Sequence, residues 1–278
     1  MRIMTDSGAL YSPAQAKEIG LDVACLQVVV NDKSYIEFEE ISSEEFLKEV
    51  KAGGVPTSSQ PPIGTTMAIF EEYPDEEFIA ISMADGLSGT YASTVSASES
   101  VDNPERITVI NSRTLCGPQR YLVNVALKLR EEGLTKDEIV AKLNELIETS
   151  QSYLIPQDFG FLKRAGRLTP LAANALGFLK VVPIMTQTPD GRRLDPFGIK
   201  KTFKGAIKEI IKHYKATNVE ANWDFSVSHA GEPEQAQMAA DMIKEAFPGA
   251  EVHIYLLSPA YITQGGPSCV ALQVIKTL

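Results

Sequence analysis

The first half of the chain alternates short apolar segments of strand length with longer amphipathic segments of helix length, and this alternation restricts the fold more than any other feature. Residues 23–30, 78–81 and 107–110 are almost entirely apolar, as expected for strands covered on both faces. Residues 121–130 and 136–150 have the apolar spacing typical of helices that pack on a sheet. The pattern predicts a Rossmann-like α/β domain with a mostly parallel sheet.

The second half of the chain has a different pattern. The turn signal Pro189-Asp190-Gly191 separates two predicted strands and indicates a β-hairpin. We therefore expect a smaller α+β domain with a mixed sheet, and we place the boundary so that the domains are 1–153 and 154–278. The predicted strands are 179–185, 193–197, 225–229 and 251–257, and the predicted helices are 159–164, 170–177, 203–214 and 233–247.

Charge and cysteine content exclude several classes of protein. The chain of 278 residues has a formal net charge of -10, and such a surface repels nucleic acid, so no nucleic-acid partner is expected. Cys25, Cys116 and Cys269 are far apart and lack metal-ligand spacing, which favours buried thiols in a reducing compartment. No segment has the length or composition of a signal peptide or a membrane span, so we expect a cytoplasmic protein without a metal.

Three hydroxyl-rich segments follow predicted strands and are expected to meet at one edge of the first sheet. In the third of them, Ser88 lies between two glycines, and Thr90 is the predicted N-cap of a helix. Backbone N–H groups at a helix N-terminus favour an anionic oxygen. A site built from these segments is rich in hydrogen-bond donors and poor in cations. The three segments are 5–7, 57–62 and 86–90.

An enzymatic alternative arises from the same loop. The sequence Gly86-Leu87-Ser88-Gly89-Thr90 nearly matches the G-x-S-x-G nucleophile elbow, but its last position is threonine. His229 is the histidine best placed to act as a base, and either Asp195 or Asp224 completes the order of a triad. The alternative is therefore a serine hydrolase or esterase that uses Ser88 with His229. Phosphate-binding glycine loops are absent from the sequence, so a kinase activity of the chain itself is not expected.

Seven short motifs, spread over essentially the whole chain, carry a family resemblance when they are taken in order. They are Thr5-Asp6-Ser7, Ser58-Ser59-Gln60-Pro61, Leu87-Ser88-Gly89-Thr90-Tyr91, residues 161–169 with their Gly-Arg pair, Val182-Pro183-Ile184, Asp190-Gly191, and Gly265-Gly266-Pro267-Ser268. The chain resembles the DegV family of bacterial fatty-acid-binding proteins. The resemblance implies two α/β domains with an acyl chain buried between them.

The resemblance also implies what the protein does. It implies a carrier, not an enzyme, that needs no cofactor and binds a long-chain fatty acid such as palmitate or oleate. A separate kinase protein phosphorylates the bound carboxylate to an acyl phosphate. Transient contact with a membrane is compatible with that role.

Site residues follow from the resemblance, motif by motif. It assigns the fatty acid carboxylate to Ser88 and Ser58, with Thr57 and Gly89 beside them. Ser58 stands where the family usually has threonine, which keeps the hydroxyl. Gln264 stands where the family commonly has a histidine. Glutamine donates a hydrogen bond but carries no charge and moves no proton near neutral pH. This departure therefore bears on the phosphoryl transfer that the resemblance implies and leaves fatty acid binding expected. The partner or phosphate contacts implied by the resemblance are Arg167 and Lys201.

Overall fold

The computed structural model describes residues 1–175 and 181–278 of the chain. Within these ranges the chain forms α-helices and strands, and the strands belong to three separate sheets. The strands are β1 (Arg2–Asp6), β2 (Leu21–Ala24), β3 (Gln27–Val30), β4 (Lys33–Ile36), β5 (Thr57–Ser59), β6 (Phe78–Ser82), β7 (Ile107–Asn111), β8 (Gln151–Ile155), β9 (Val182–Gln187), β10 (Leu194–Lys200), β11 (Asp224–His229), β12 (Val252–Leu256) and β13 (Val270–Ile275). The α-helices are α1 (Pro13–Glu18), α2 (Ser43–Lys51), α3 (Ile63–Glu72), α4 (Thr90–Glu99), α5 (Cys116–Glu131), α6 (Lys136–Ile147), α7 (Phe159–Ala165), α8 (Pro170–Ala175), α9 (Phe203–Ala216), α10 (Pro233–Ala246) and α11 (Pro259–Gly265).

The first sheet has the strand order β2-β1-β6-β7, and every pair in it is parallel. Helices cover both faces because the central strands are apolar on both sides. In β6, Ile79 and Ile81 pack with α5 and α6, whereas Phe78 and Ala80 pack with α3 and α4. The predicted parallel sheet with helices on both faces is confirmed.

The second sheet has the order β10-β9-β8-β13-β11-β12, and only the β11–β12 pair is parallel. The mixed sheet of an α+β unit is therefore confirmed, as is the β9–β10 hairpin. One face packs against α9 and α10, and the other faces α5 of the first unit. Two of its strands, β8 and β13, were not predicted. Since β8 spans Gln151–Ile155, the proposed boundary between residues 153 and 154 falls inside this strand.

A third, antiparallel sheet has the order β4-β3-β5 and packs against α2 and α11. It corrects two predictions. Residues 23–30 do not form one strand, because the chain leaves the first sheet after Ala24 and enters the third sheet at Gln27. Thr57–Ser59 is not a loop at the edge of the first sheet but strand β5, paired with β3. A continuous apolar run does not reveal where the chain changes sheets.

Parts of two predictions lie outside the described residues. The helix predicted over 170–177 and the strand predicted over 179–185 correspond to α8 and β9, and residues 176–180 between them are not described. Among the described helices, none has the length and apolar composition required to cross a bilayer.

Candidate functional site

A polar cavity of about 630 Å³ lies where the three sheets approach one another. We call it the polar vestibule. The residues that line it come from β5, from the loop before α4, from the segment after α7 and from α11. Five of the residues singled out in the sequence lie there together: Ser58, Ser88, Gly89, Arg167 and Gln264.

A second cavity of about 810 Å³ continues from the polar vestibule into the interior. We call it the apolar cavity. The two cavities share Met83, Leu87, Arg167, Tyr261 and Gln264, so the vestibule and the apolar cavity adjoin at these residues. Its apolar lining includes Leu115, Leu154, Leu162, Met185, Leu194 and Leu257.

Ser58 and Gln264 are joined directly in the vestibule. Gln264 Nε2 donates to Ser58 Oγ at 2.8 Å, across 206 positions of sequence. The Ser58 hydroxyl accepts this bond and keeps its own proton for a ligand oxygen. Gln264 therefore orients a donor, and Ser58 presents it.

The loop before α4 presents a second hydroxyl. Ser88 Oγ accepts from Thr90 N at 3.2 Å and lies 2.8 Å from Thr90 Oγ1. Helix α4 begins at Thr90 with Gly89 as N-cap, which corrects the predicted N-cap by one residue, because the Ser88 hydroxyl already accepts the Thr90 N–H. A Cβ at Gly89 would overlap Oε1 of Gln60, which also lines the vestibule. Because Gly89 has no side chain, the Gln60 amide can lie close to the Gly89 backbone.

Arg167 corrects the expectation of a site poor in cations, because its side chain lines both cavities at their junction. Gly166 ends α7 in a left-handed conformation with φ of 71°, and the chain turns there so that Arg167 reaches the junction. The guanidinium donates to Leu87 O at 3.2 Å and to Ala165 O. Burial lowers the pKa of Arg167, and the nearby Arg193 charge lowers it further, yet an arginine stays protonated. A positive charge therefore stands beside the two hydroxyls.

Two predicted residues are placed elsewhere. Thr57 is exposed on β5, with its side chain on the opposite face from Ser58, because successive residues of a strand alternate sides. Lys201 is also exposed, and neither residue is among the described residues that line the two cavities.

The arrangement required for a serine hydrolase is not assembled among the described residues. His229 Nδ1 accepts from Glu232 N at 3.0 Å, and burial lowers the pKa of His229. His229 is not among the described lining residues of either cavity, whereas Ser88 hydrogen-bonds Thr90. The two candidate acids are also engaged elsewhere: Asp224 contacts His253 at 3.3 Å, and Asp195 accepts from Thr169 at 2.6 Å.

A buried carboxylate behind the vestibule was not predicted. Glu37 is fully buried; its Oε1 accepts from Ser7 Oγ at 2.6 Å and its Oε2 accepts from Ala260 N at 2.8 Å. Burial raises the pKa of Glu37 to about 7. Asp6 lies nearby, and burial raises the pKa of Asp6 to about 6. No sequence signal separates Glu37 from the exposed acidic residues that follow it.

Tyr261 and Gln60 also line the vestibule without having been selected from the sequence as site residues. Tyr261 donates to Gly8 O at 3.0 Å, which links α11 to the end of β1. Within the described ranges, no cluster of three or more histidine, cysteine or acidic side chains is placed to hold a metal ion.

The fold and the site together define a class: a two-unit α/β protein with an apolar cavity that ends in a vestibule of hydroxyls, an amide and one guanidinium. A family model described as "Uncharacterised protein, DegV family" matches residues 1–277. The chain belongs to the DegV family, as the motifs in its sequence indicated. A DegV domain-containing protein of Halalkalibacterium halodurans is 32% identical over 278 residues, covering 97% of this chain and 96% of the relative.

Solved structures agree with this assignment. The structure of DegV from Bacillus subtilis, described as a fatty acid binding protein, has a TM-score of 0.87 and 28% identity and covers 99% of both chains. A DegV family protein from Thermus thermophilus, described by its fatty acid binding, has a TM-score of 0.89 and covers 100% of both chains. Its identity is 23%, so this second likeness concerns the fold.

Proposed function

We propose that this protein binds a long-chain fatty acid, such as palmitate or oleate, with its carboxylate in the polar vestibule and its chain in the apolar cavity. The observation that carries the proposal is that the polar vestibule and the apolar cavity adjoin at Leu87, Arg167 and Gln264. A fatty acid has the same division into one charged end and one long apolar body. The fatty-acid-binding relative from Bacillus subtilis, similar over 99% of this chain, supports the proposal independently.

The carboxylate needs donors because an unpaired charge taken out of water is very unfavourable. Ser58 offers its hydroxyl proton, since Gln264 donates to the same oxygen. Ser88 offers its hydroxyl proton when Thr90 Oγ1 is the donor in the hydrogen bond between the two hydroxyls. The backbone N–H of Gly89 and the guanidinium of Arg167 complete the set. These groups hold an anion by hydrogen bonds and one charge.

We further propose that the protein is a carrier that presents this carboxylate to a separate kinase, which forms the acyl phosphate. Ser88 is half-buried and Gly89 is exposed, so the carboxylate end lies near solvent while the chain lies inside. Exposed cations lie on the segments next to Arg167 and Gly86 in a protein of net charge -10, and they suit a phosphate or an anionic partner surface. They are Lys163, Arg164, Arg192 and Arg193. Lys201 is exposed but lines neither cavity, and we keep it only as a proposed partner contact.

The same exposed cations are compatible with transient contact with an anionic membrane during loading or release. We propose the cytoplasm as the compartment, since all three cysteines are free and buried. No cofactor takes part in this proposal. The fatty acid is the ligand.

Mass spectrometry of lipids extracted from the purified protein tests the binding proposal. We expect a fatty acid in stoichiometric amount, and we expect delipidated protein to rebind palmitate or oleate in calorimetry. Recovery of no fatty acid, together with no binding of either added acid, would refute it. A partner test follows: candidate kinases incubated with ATP and the loaded protein should yield acyl phosphate only when the carrier is present.

A further inference from the structure

The apolar cavity exposes mainly apolar surface, but polar side chains border its far end, where an acyl chain would place its methyl group. Along β13 the cavity is lined by Cys269, Ala271 and Gln273, while the residues between them face the core of the second unit. Cys269 packs against Gly265, next to the vestibule. Gln273 lies four residues further along the strand, roughly 13 Å away at the rise of a β-strand. The cavity therefore runs along β13 from the vestibule to Gln273.

The polar groups at this end are held in fixed orientations. Gln273 is 1% exposed, and its Nε2 donates both to Leu115 O at 3.0 Å and to Ser152 Oγ at 2.9 Å. Since the Leu115 carbonyl can only accept, it requires the N–H side of the amide and fixes its orientation. Ser152 accepts from Gln273 and keeps its own proton for another acceptor. Ligand cavities are mostly apolar with a few placed polar groups, so a second polar cluster opposite the head group indicates a second polar function.

The sheet opens at the same place. Strands β8 and β9 pair only at Tyr153–Thr186 and Leu154–Met185. The next pair would join Ser152 to Gln187, but the Ser152 carbonyl accepts from the Thr186 hydroxyl at 2.9 Å instead. The ladder therefore stops two residues before the start of β8 and one residue before the end of β9.

A surface cavity of about 760 Å³ lies on the outer side of this opening, and we call it the outer pocket. It shares Ser152, Tyr153, Thr186 and Gln187 with the apolar cavity, which places the two on either side of the gap between β8 and β9. We call this gap, bordered by Ser152 and Gln187, the tail opening.

The charges of the outer pocket select the kind of group that fits there. Arg113 forms an ion pair with Glu148 at 2.7 Å, and the Arg113 carbonyl accepts from Gln187 Nε2 at 3.3 Å. The pair leaves no net charge, and most other lining groups are hydroxyls and amides. An uncharged hydroxyl therefore fits better than a second carboxylate, because the balanced pair offers no net positive charge to a second anion.

A long acyl chain is long enough to span the part of the cavity that follows β13. A bilayer core about 30 Å thick contains two opposed chains, so one chain of membrane length spans about 15 Å. The cavity offers roughly 13 Å between Cys269 and Gln273 at strand spacing. The end of such a chain thus reaches the tail opening when its carboxylate lies in the vestibule.

We propose that the acyl site is open at both ends and that this protein accepts long-chain acids with a hydroxyl on their terminal carbon, the hydroxyl lying at the tail opening. The proposal rests on the proposed fatty acid site and specifies its ligand class. The residues that determine this tolerance are Ser152, Gln187 and Gln273.

Calorimetry with delipidated full-length protein tests the proposal, using hexadecanoic acid, its ω-hydroxy derivative and hexadecanedioic acid. We expect the ω-hydroxy acid to bind within about threefold of hexadecanoic acid, because its hydroxyl keeps hydrogen-bond partners. A closed apolar end would instead weaken it about tenfold or more, since a buried hydroxyl without a partner is unfavourable. The dicarboxylic acid should bind more weakly than the ω-hydroxy acid.

Two variants narrow the tail opening, and one control repeats the exchange elsewhere. Ser152→Leu and, separately, Gln187→Leu should weaken the ω-hydroxy acid about tenfold relative to hexadecanoic acid. Ser34→Leu, on the exposed face of β4, should leave that ratio unchanged. Thermal melting shows whether each variant folds. If one of the two fails to fold, the other provides the test.

The outcomes separate the two proposals. If no acid binds, the proposed function fails and this inference falls with it. If hexadecanoic acid binds but the ω-hydroxy acid is at least tenfold weaker in the wild type, the cavity is closed and only this inference is refuted. Equal tolerance of the ω-hydroxy acid in wild type and both leucine variants would also refute it, because the hydroxyl would then lie elsewhere.

Discussion

The buried Glu37 makes a quantitative prediction about stability and pH. Its carboxylate has no exposure, and burial raises the pKa from an ordinary 4.5 to about 7. A shift of one pKa unit corresponds to 1.36 kcal/mol, so this shift costs the folded state about 3 kcal/mol once the group is ionised. Replacing Glu37 with glutamine removes that cost.

The sign follows from the two states. The unfolded carboxyl loses its proton near 4.5 and the folded one near 7, so between these values the folded protein binds more protons. The contribution of Glu37 to stability is therefore fully present below pH 4.5 and is lost as the pH rises through about 7. Glutamine accepts from only one of the two donors, Ser7 or Ala260 N–H, so the variant loses about 1 kcal/mol at every pH. Glu37→Gln should therefore destabilise the protein by about 1 kcal/mol near pH 4 and stabilise it by about 2 kcal/mol near pH 8.

Urea unfolding at several pH values measures this difference. Asp6 titrates in both proteins, so it largely cancels in the comparison. Glu71→Gln, at an exposed position of α3, is the matched control and should show little change at any pH. A difference between Glu37→Gln and wild type that does not vary with pH would refute the reasoning, because ionisation of Glu37 would then not be coupled to folding.

Three further substitutions follow from single contacts. Ser88→Ala should weaken palmitate binding by about 1–3 kcal/mol in calorimetry, because one donor to a buried charge is lost, and an unchanged affinity would count against the vestibule as the carboxylate site. Tyr214→Phe should be neutral or stabilise the protein by about 1 kcal/mol in urea unfolding, since the buried Tyr214 hydroxyl has no described partner; a clear loss of stability would mean that it has one. Gly86→Ala should lower the melting temperature and the palmitate affinity together, because a Cβ there would overlap the Cα of Arg192 and the carbonyl of Gly191. Wild-type values for both would show that close packing of the hairpin turn against Gly86 is not required.

The sequence predicted most of the fold because strands of the first sheet are locally recognisable. Phe78 to Ile81 is apolar at every position, and a central parallel strand requires that. Strands β8 and β13 escaped prediction for different reasons. β8 begins with the polar residues Gln151 and Ser152, so its identity as a strand depends on pairing with distant strands. β13 is apolar at five of its six positions, but an apolar run of this length does not by itself distinguish a strand from a buried helical segment.

The site was predictable only in part, and the cause is again sequence distance. Ser58 and Gln264 were named as members of one site through family motifs, and the structure joins them by a hydrogen bond. Arg167 was expected at a partner or phosphate contact, but the turn at Gly166 carries it to the junction of the two cavities. Glu37 gave no signal at all, because its burial is created by the packing of α11 against the third sheet.

The donors of the vestibule are divided among units that share no sheet. Ser88 follows a strand of the first sheet, Ser58 lies in the third, and Arg167 and Gln264 belong to the second half of the chain. Since no unit supplies the full set, affinity for a carboxylate depends on how the units are held together. The contacts that hold them include the Gln264–Ser58 bond itself, so the proposed head-group site is also part of the interface. A ligand that satisfies donors from all three units therefore stabilises their arrangement, and loss of the ligand removes that contribution.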